Sequence, residues 1–147
     1  MILAVVDANV LVSAIAFKQR TSPAIILESW ESRRFSLIAS EVLLEEVKRT
    51  LEKPYFAAVI SRERTARALA SLREWATIVE LNLPVRGVAT HPENDLLIAT
   101  AVSGDADYLV TGDIQLQKLG HHESVTIVSP AEFLRILEAE AEVGAEP

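Results

Sequence analysis

The sequence predicts an α/β protein, a three-layer α/β/α arrangement around a five-stranded parallel sheet. Short apolar runs alternate with helical patterns along the chain, which is how strands joined by helical crossovers read. Five such runs separated by helices indicate a parallel sheet covered on both faces. Two of them, ILAVVDAN at 2–9 and DYLVTGD at 107–113, stop abruptly at an aspartate, Asp7 in the first and Asp113 in the second. No repeat, linker or low-complexity segment breaks the pattern. One domain is therefore expected over 1–137, followed by an acidic tail at 138–147 that frays into solvent.

In order, residues 2–6 form a strand leading into a helix over about 9–17. Ser22-Pro23 reads as an N-cap followed by proline at the first helical position, opening a helix to about 33. Residues 35–39 are a short strand, and Ser40 caps a helix that runs to about Lys53, where Pro54 stops it. Ser61 caps another helix to about Ala76, and 77–81 is a strand. Residues 82–93 hold two prolines, a glycine and no periodicity, so they form a loop. Asn94 or Asp95 then starts a helix ending at Gly104. Tyr108–Val110 is a buried strand, 114–119 a short helical turn and Val125–Val128 the last strand. Ser129-Pro130-Ala131-Glu132 is a capping box that opens the final helix.

At 147 residues, half of them hydrophobic, the chain is long enough to bury a full core and is not disordered. The absence of cysteine excludes a disulfide framework, a thiolate metal site and a cysteine nucleophile. No stretch approaches about 18 apolar residues, so no membrane span is expected. The N-terminus enters a strand directly, without a basic region or small-residue cleavage site, so a cytoplasmic location is expected. The formal net charge of −7 argues against a polyanionic partner only if it is evenly spread, and it is not. Residues 1–80 hold 11 Lys/Arg against 10 Asp/Glu, whereas 81–147 hold 3 against 11. Part of that excess is the tail, with Glu138, Glu140, Glu142 and Glu146. The first half can therefore carry a local basic surface.

Chemistry in an open parallel sheet sits beyond the carboxyl ends of the strands, so Asp7 and Asp113 point to one acidic pocket and the pocket to a divalent metal. Two further acids lie where elements begin or turn. Glu46 belongs to LLEEVKRTL, whose apolar positions Leu43, Leu44, Val47 and Leu51 define a buried face. Glu46 adjoins that stripe, and Glu45 points further out. Asp95 sits at a helix start. Alone, Asp95 reads equally as a first-turn residue favoured by the helix dipole, and Glu46 as a solvated flank. Together they carry an energetic consequence. Two carboxylates about 5 Å apart repel by roughly 3 kcal/mol at an effective dielectric of about 20, and four in one pocket by roughly 15–20 kcal/mol. A domain's stability is only about 5–15 kcal/mol. Converging acids therefore need a cation or raised pKa values. Ligands that are all oxygen favour Mg²⁺ or Mn²⁺ over zinc.

Four ordered blocks, DANVLVSA, SEVLLEEV, HPENDLLIATA and ADYLVTGD, with Leu116 and a closing IVSPAEFL, resemble those of PIN-domain ribonucleases. The resemblance is nearest to the VapC-like toxins of bacterial and archaeal toxin–antitoxin pairs, and it covers about residues 2–137. It implies a five-stranded parallel sheet between helices and metal-dependent cutting of single-stranded RNA, leaving a 5′-phosphate and a 3′-hydroxyl. It also implies a cluster of Asp7, Glu46, Asp95 and Asp113. Asp7 and Asp95 would bind Mg²⁺ or Mn²⁺ directly, Asp113 directly or through water, and Glu46 would orient or deprotonate the attacking water. Asn9, Asp107 and Thr111 match supporting positions. The implied partners are the RNA substrate, a cognate antitoxin presenting an arginine to the acids, and a second copy in a homodimer, with the helices around Trp30 or the final helix as its surface. Two departures stand out: Leu96 follows Asp95 where many relatives carry a charge, and Glu93-Asn94 stands where they often run acidic. Neither removes a ligand.

Other signals have plainer readings. Lys18, Arg20, Arg33, Arg34, Lys48, Arg49 and Lys53 read as solvated helix faces or as a track for an RNA backbone, with Lys18 and Arg20 the stronger pair for the track. His121-His122 reads as an exposed turn, since adjacent residues rarely bind one ion. His91 precedes Pro92 near Asp95. Trp30 and Trp75 read as core or interface, and Ser13 lacks a partnered histidine. A haloacid-dehalogenase-type phosphotransferase would need a second Asp where Asn9 stands, and a receiver domain a Lys where Ser129-Pro130 stands. The non-enzymatic alternative is an inactive scaffold of the same fold that binds RNA or a protein partner.

Overall fold

The first strand is the centre of the sheet. β1 (Leu3–Val6) pairs in parallel with β2 (Ser36–Ala39) on one side and with β4 (Tyr108–Val110) on the other. β3 (Thr77–Ile78) extends the sheet beyond β2, and β6 (Val125–Val128) extends it beyond β4. β5 (His121–His122) runs antiparallel to β6, so the order is β3-β2-β1-β4-β6-β5. The computed structural model describes residues 1–17, 19–81 and 92–145.

Consecutive strand residues point to opposite faces. Ala4, Val5 and Val6, like Leu37, Ile38 and Ala39, are all buried, so both faces of the sheet are covered. The covering helices are α1 (Ala8–Ala16), α2 (Ser22–Glu31), α3 (Glu41–Leu51), α4 (Pro54–Ala57), α5 (Arg62–Trp75), α6 (Pro92–Ser103), α7 (Ile114–Leu119) and α8 (Pro130–Ala145). α1 packs on α2 and α3, α3 on α5, and α2 on α8, while α6 lies against β1, β2 and β4. Phe35, just before β2, and Phe133 on α8 meet edge to face with centroids 5.0 Å apart, joining the last helix to the core.

The local expectations hold at most helix starts. Ser40 Oγ accepts from Leu43 N–H, and Ser61 Oγ accepts from Arg64 N–H. Ser129 and Glu132 form the reciprocal capping box, with bonds of 3.2 and 3.1 Å. Five differences stand out. The sheet has six strands, because His121-His122 is a strand and not a turn; Gly120 at φ +76° reverses the chain and lets β5 fold back on β6. The third strand stops at Ile78, although Val79 N–H still bonds Ala39 O. Thr21 caps α2, one residue earlier than expected. Pro54 both follows α3 and opens α4 at its first position, where its missing N–H costs nothing. α8 continues to Ala145, through most of the segment expected to fray; that segment is rich in Ala and Glu, both strong helix formers. The loop expected at 82–93 lies outside the described residues up to 91, and 92–93 already belong to α6.

The seam between α6 and β2 is tight. A Cβ added at Gly104, just past α6, collides with the Ile38 methyl. Gly104→Ala is expected to lower stability by about 1–3 kcal/mol through overpacking, read as an earlier urea midpoint with unchanged slope. An unmoved midpoint would mean that helix and strand separate freely.

Candidate active site

The chain leaves β1 for β2 and β3 on one flank and returns to β4 on the other. The crevice beyond the carboxyl ends of β1 and β4 is therefore the switch point where open α/β sheets bind ligands. Two backbone bonds square off this end: Asp7 N–H to Val110 O at 2.8 Å and Thr111 N–H to Val128 O at 3.0 Å.

Asp7 is the N-cap of α1, and Asp113 is the N-cap of α7. Both therefore sit where unpaired helix N–H groups favour negative charge. Asp7 Oδ1 accepts from Asn9 N–H at 3.4 Å, and Asp113 Oδ1 accepts from Leu116 N–H at 3.1 Å. Thr111 joins the two turns. Its hydroxyl donates to Asp7 Oδ2 at 2.7 Å and accepts from Asp113 N–H at 3.1 Å. Gln117 Nε2 in turn donates to Thr111 O at 2.7 Å. Asn94, on α6, donates through Nδ2 to Asp113 Oδ2 at 3.2 Å.

Asp7 is 8% exposed, and this burial pushes its carboxyl pKa above the usual carboxylate range. The hydrogen bonds from Thr111 and Asn9 oppose the shift, and the charge of Asp113 adds to it. Desolvation is thus the larger strain on Asp7, and repulsion between acids the smaller. This reverses the order expected from the sequence, in which repulsion comes first.

A cavity of about 490 Å³ opens over these groups and is lined by Asp7, Asn9, Val10, Ser13, Pro23, Glu46, Asn94, Gly112, Asp113 and Pro130. Three of the four expected acids therefore share one wall. Glu46 is half-buried and enters from α3, while Glu45 is exposed, as the apolar stripe of that helix required. Asp95 does not line the cavity. It is buried in the first turn of α6, one residue past Asn94. The helices carrying Glu46 and Asp95 are coupled below the cavity. Thr100 gives its proton to Leu96 O at 2.9 Å, so in the buried 2.9 Å contact with Thr100 it is Ser40 that donates.

Asp107 does not join the others. Its carboxylate accepts from Leu3 N–H at 2.9 Å, where β1 and β4 begin, so it staples the opposite ends of these strands. Four residues of extended chain separate it from Thr111 by roughly 13 Å. Asn9 and Thr111, in contrast, both touch Asp7. Asn94 and Gln117 also bond into this cluster, and neither was expected from the sequence. The only cue for Asn94 was its place beside Asp95. Arg20, Arg33, Arg34, Lys48, Arg49 and Lys53 are exposed and line no part of the cavity, and Lys18 and His91 lie outside the described residues. A second cavity, of about 500 Å³, lies by Met1, Trp30, Phe35 and Trp75 near the amino ends of β1 and β2, and among the described residues the one acid on its wall is Glu31.

Among the described residues the donor set suits a hard cation: three carboxylates and amide oxygens. Among the described residues, no three acidic or histidine side chains gather closely enough to hold one ion. Mg²⁺ commonly takes one or two carboxylates and fills its shell with water and phosphate oxygens. The Asp7–Asp113 pair fits that mode, and a cation there offsets the strain on Asp7.

The sequence matches the PIN domain family over residues 4–115, and the chain belongs to that family. No curated protein matches it by sequence. Among solved structures, VapBC2 from Rickettsia felis, bound to a DNA fragment from its promoter, is similar with a TM-score of 0.61 at 18% identity, covering 87% of this chain and 98% of that one. PAE2754 from Pyrobaculum aerophilum is similar at 0.55 and 16%, covering 94% and 98%. FitAcB from Neisseria gonorrhoeae is similar at 0.53 and 14%, covering 87% and 98%. At these identities the likeness is one of fold.

The raised pKa of Asp7 has a signed consequence. The folded state holds the Asp7 proton more tightly than the unfolded chain, so this residue favours folding below about pH 4 and the benefit is lost as pH rises through the raised value. Asp7→Asn keeps a good N-cap and removes the charge. Its melting temperature is expected to exceed wild type by a few degrees at pH 7–8, and the two curves to meet below about pH 4. Mg²⁺ or Mn²⁺ is expected to raise the wild-type midpoint and leave that of Asp7→Asn in place. A lower midpoint for the variant at neutral pH would contradict the buried-charge argument.

Proposed function

We infer that this chain is a metal-dependent endoribonuclease that cuts single-stranded RNA, the VapC-like toxin of a toxin–antitoxin pair. The observation that carries the reading is that Asp7, Glu46 and Asp113, from three distant stretches of a PIN-family chain, line one cavity at the switch point of the sheet. When bound, Mg²⁺ or Mn²⁺ supplies positive charge against the carboxylates and against the charge that builds on a phosphate under attack. Asp7 would hold it directly and Asp113 directly or through water, with Asp95, buried in the first turn of α6, as the third holder. Glu46 orients the attacking water and takes its proton. Water oxygen bonds to phosphorus, the bond to the 3′-oxygen breaks, that oxygen takes a proton from solvent, and the products carry a 5′-phosphate and a 3′-hydroxyl. Thr111 and Asn94 keep the two aspartates aimed. Among the described residues no helix is long and apolar enough to cross a membrane.

The partners follow from the same reading. An antitoxin blocks the acidic cavity, and an arginine is the side chain best matched to paired carboxylates. A homodimer belongs to it as well. Trp30 is mostly buried and reaches the surface only along the second cavity, whereas Trp75, on the same cavity wall, is 64% exposed on α5. One observation favours a second reading, an inactive scaffold that binds RNA or protein: no three described acids gather around one point.

Pure protein with labelled single-stranded RNA separates the two. Cleavage is expected with Mn²⁺ or Mg²⁺ and not with EDTA. Asp7→Asn is expected to slow it by at least about 100-fold, and Glu46→Gln by roughly 100- to 10,000-fold. Metal-independent cutting, or an Asp7→Asn variant as fast as wild type, would sink the nuclease reading; clean protein with no activity favours the scaffold.

A further inference from the structure

We propose that Tyr55 is a stacking platform for one base of a single-stranded RNA whose phosphate lies in the acidic cavity, an inference that rests on the nuclease reading. Val10 and Ser13 of α1 line the cavity. The next position on that helix face is Phe17, where α1 ends. At 1.5 Å per residue, Phe17 lies roughly 10 Å along the helix from Val10. Its ring meets Tyr55 at 6.5 Å and Phe56 at 6.1 Å, and Tyr55 stands perpendicular to Phe56 at 4.9 Å. Phe17 and Phe56 both pack against the core, so the trio is anchored from below. Tyr55, at the outer end, is 67% exposed.

An exposed aromatic ring held by two others is an unusual surface group. Its apolar face is open, yet its rotamer is already fixed, so little side-chain entropy remains to be lost on stacking. Cations stand near it in the chain, alongside the exposed Glu52. Lys53 precedes the short helix that carries Tyr55, Arg20 follows Phe17 by three residues, and both are exposed. Arg64 brings a third cation to the end of α1, donating through Nη2 to Ile15 O at 3.3 Å. The cavity itself is lined by acids, so a strand reaching it needs cations and a stacking face beside it. Stacking on an aromatic ring tolerates any base. Phe17 lies roughly 10 Å beyond Val10 and the Tyr55 ring a further 6.5 Å from Phe17, so the stacked base lies a few nucleotides from the cut and not next to it.

The test is cleavage of short labelled RNAs in Mn²⁺ by wild type, Tyr55→Ala, Tyr55→Leu and Tyr55→Phe, with circular dichroism confirming each fold. Tyr55→Ala and Tyr55→Leu are expected to raise KM roughly 5- to 100-fold with kcat within about twofold, and Tyr55→Phe to match wild type. An abasic nucleotide at the stacked position is expected to raise the wild-type KM by the same factor and to leave Tyr55→Ala unaffected. Wild-type cleavage with an unchanged KM for Tyr55→Ala overturns the platform and leaves the nuclease standing. Retention of KM by Tyr55→Leu overturns it too, and points to an apolar docking face for a protein partner. A wild type that neither binds nor cuts RNA overturns both.

Discussion

The Thr111 hydroxyl is the fastening on which the candidate site depends. It has one proton to give, and the proton goes to Asp7, which leaves the oxygen to receive the N–H of Asp113. Two carboxylate-bearing turns, more than a hundred residues apart in sequence, are thereby fixed to one buried atom. The bond to Asp7 is charge-assisted when the carboxylate is ionised and so is stronger than a neutral one. It is also the largest influence opposing the upward drift of the Asp7 pKa. Burial still wins, so Asp7 is poorly served as a bare anion. Burial, more than crowding among acids, is thus what disfavours its charge.

A second fastening lies deeper. Glu46 and Asp95 stand on different helices, and their relative position is set by the Ser40–Thr100 contact beneath both. Neither hydroxyl touches the cavity. Each closes a chain of donors and acceptors: Leu43 N–H to Ser40, Ser40 to Thr100, and Thr100 to Leu96 O. A fully satisfied buried chain of this kind resists sliding, because any shift strands a polar group away from water.

What the sequence disclosed was the part set by local rules. Capping residues marked the starts of α3, α5 and α8, and the apolar stripe of α3 separated Glu46 from Glu45 before any coordinates. Asp7 and Asp113 declared themselves by ending strands. What stayed hidden depends on meetings between distant residues. Nothing near Asn94 in the chain announces Asp113 as its partner, and a two-residue strand such as β5 is too short to show a period. Asp107 misled for a simple reason of length: it shares a motif with Thr111 and Asp113, yet an extended strand carries its two ends to opposite sides of the molecule. Asp95 was correctly set at a helix start, but the burial of its side chain depends on how α6 is rolled against the sheet.

The outermost strands, β3 and β5, are each two residues long. A neighbouring polypeptide seeking to lengthen the sheet would find only a rung or so of free backbone at either rim, too little to nucleate a shared ladder. The protein is thereby guarded against fibre-like stacking with its own kind.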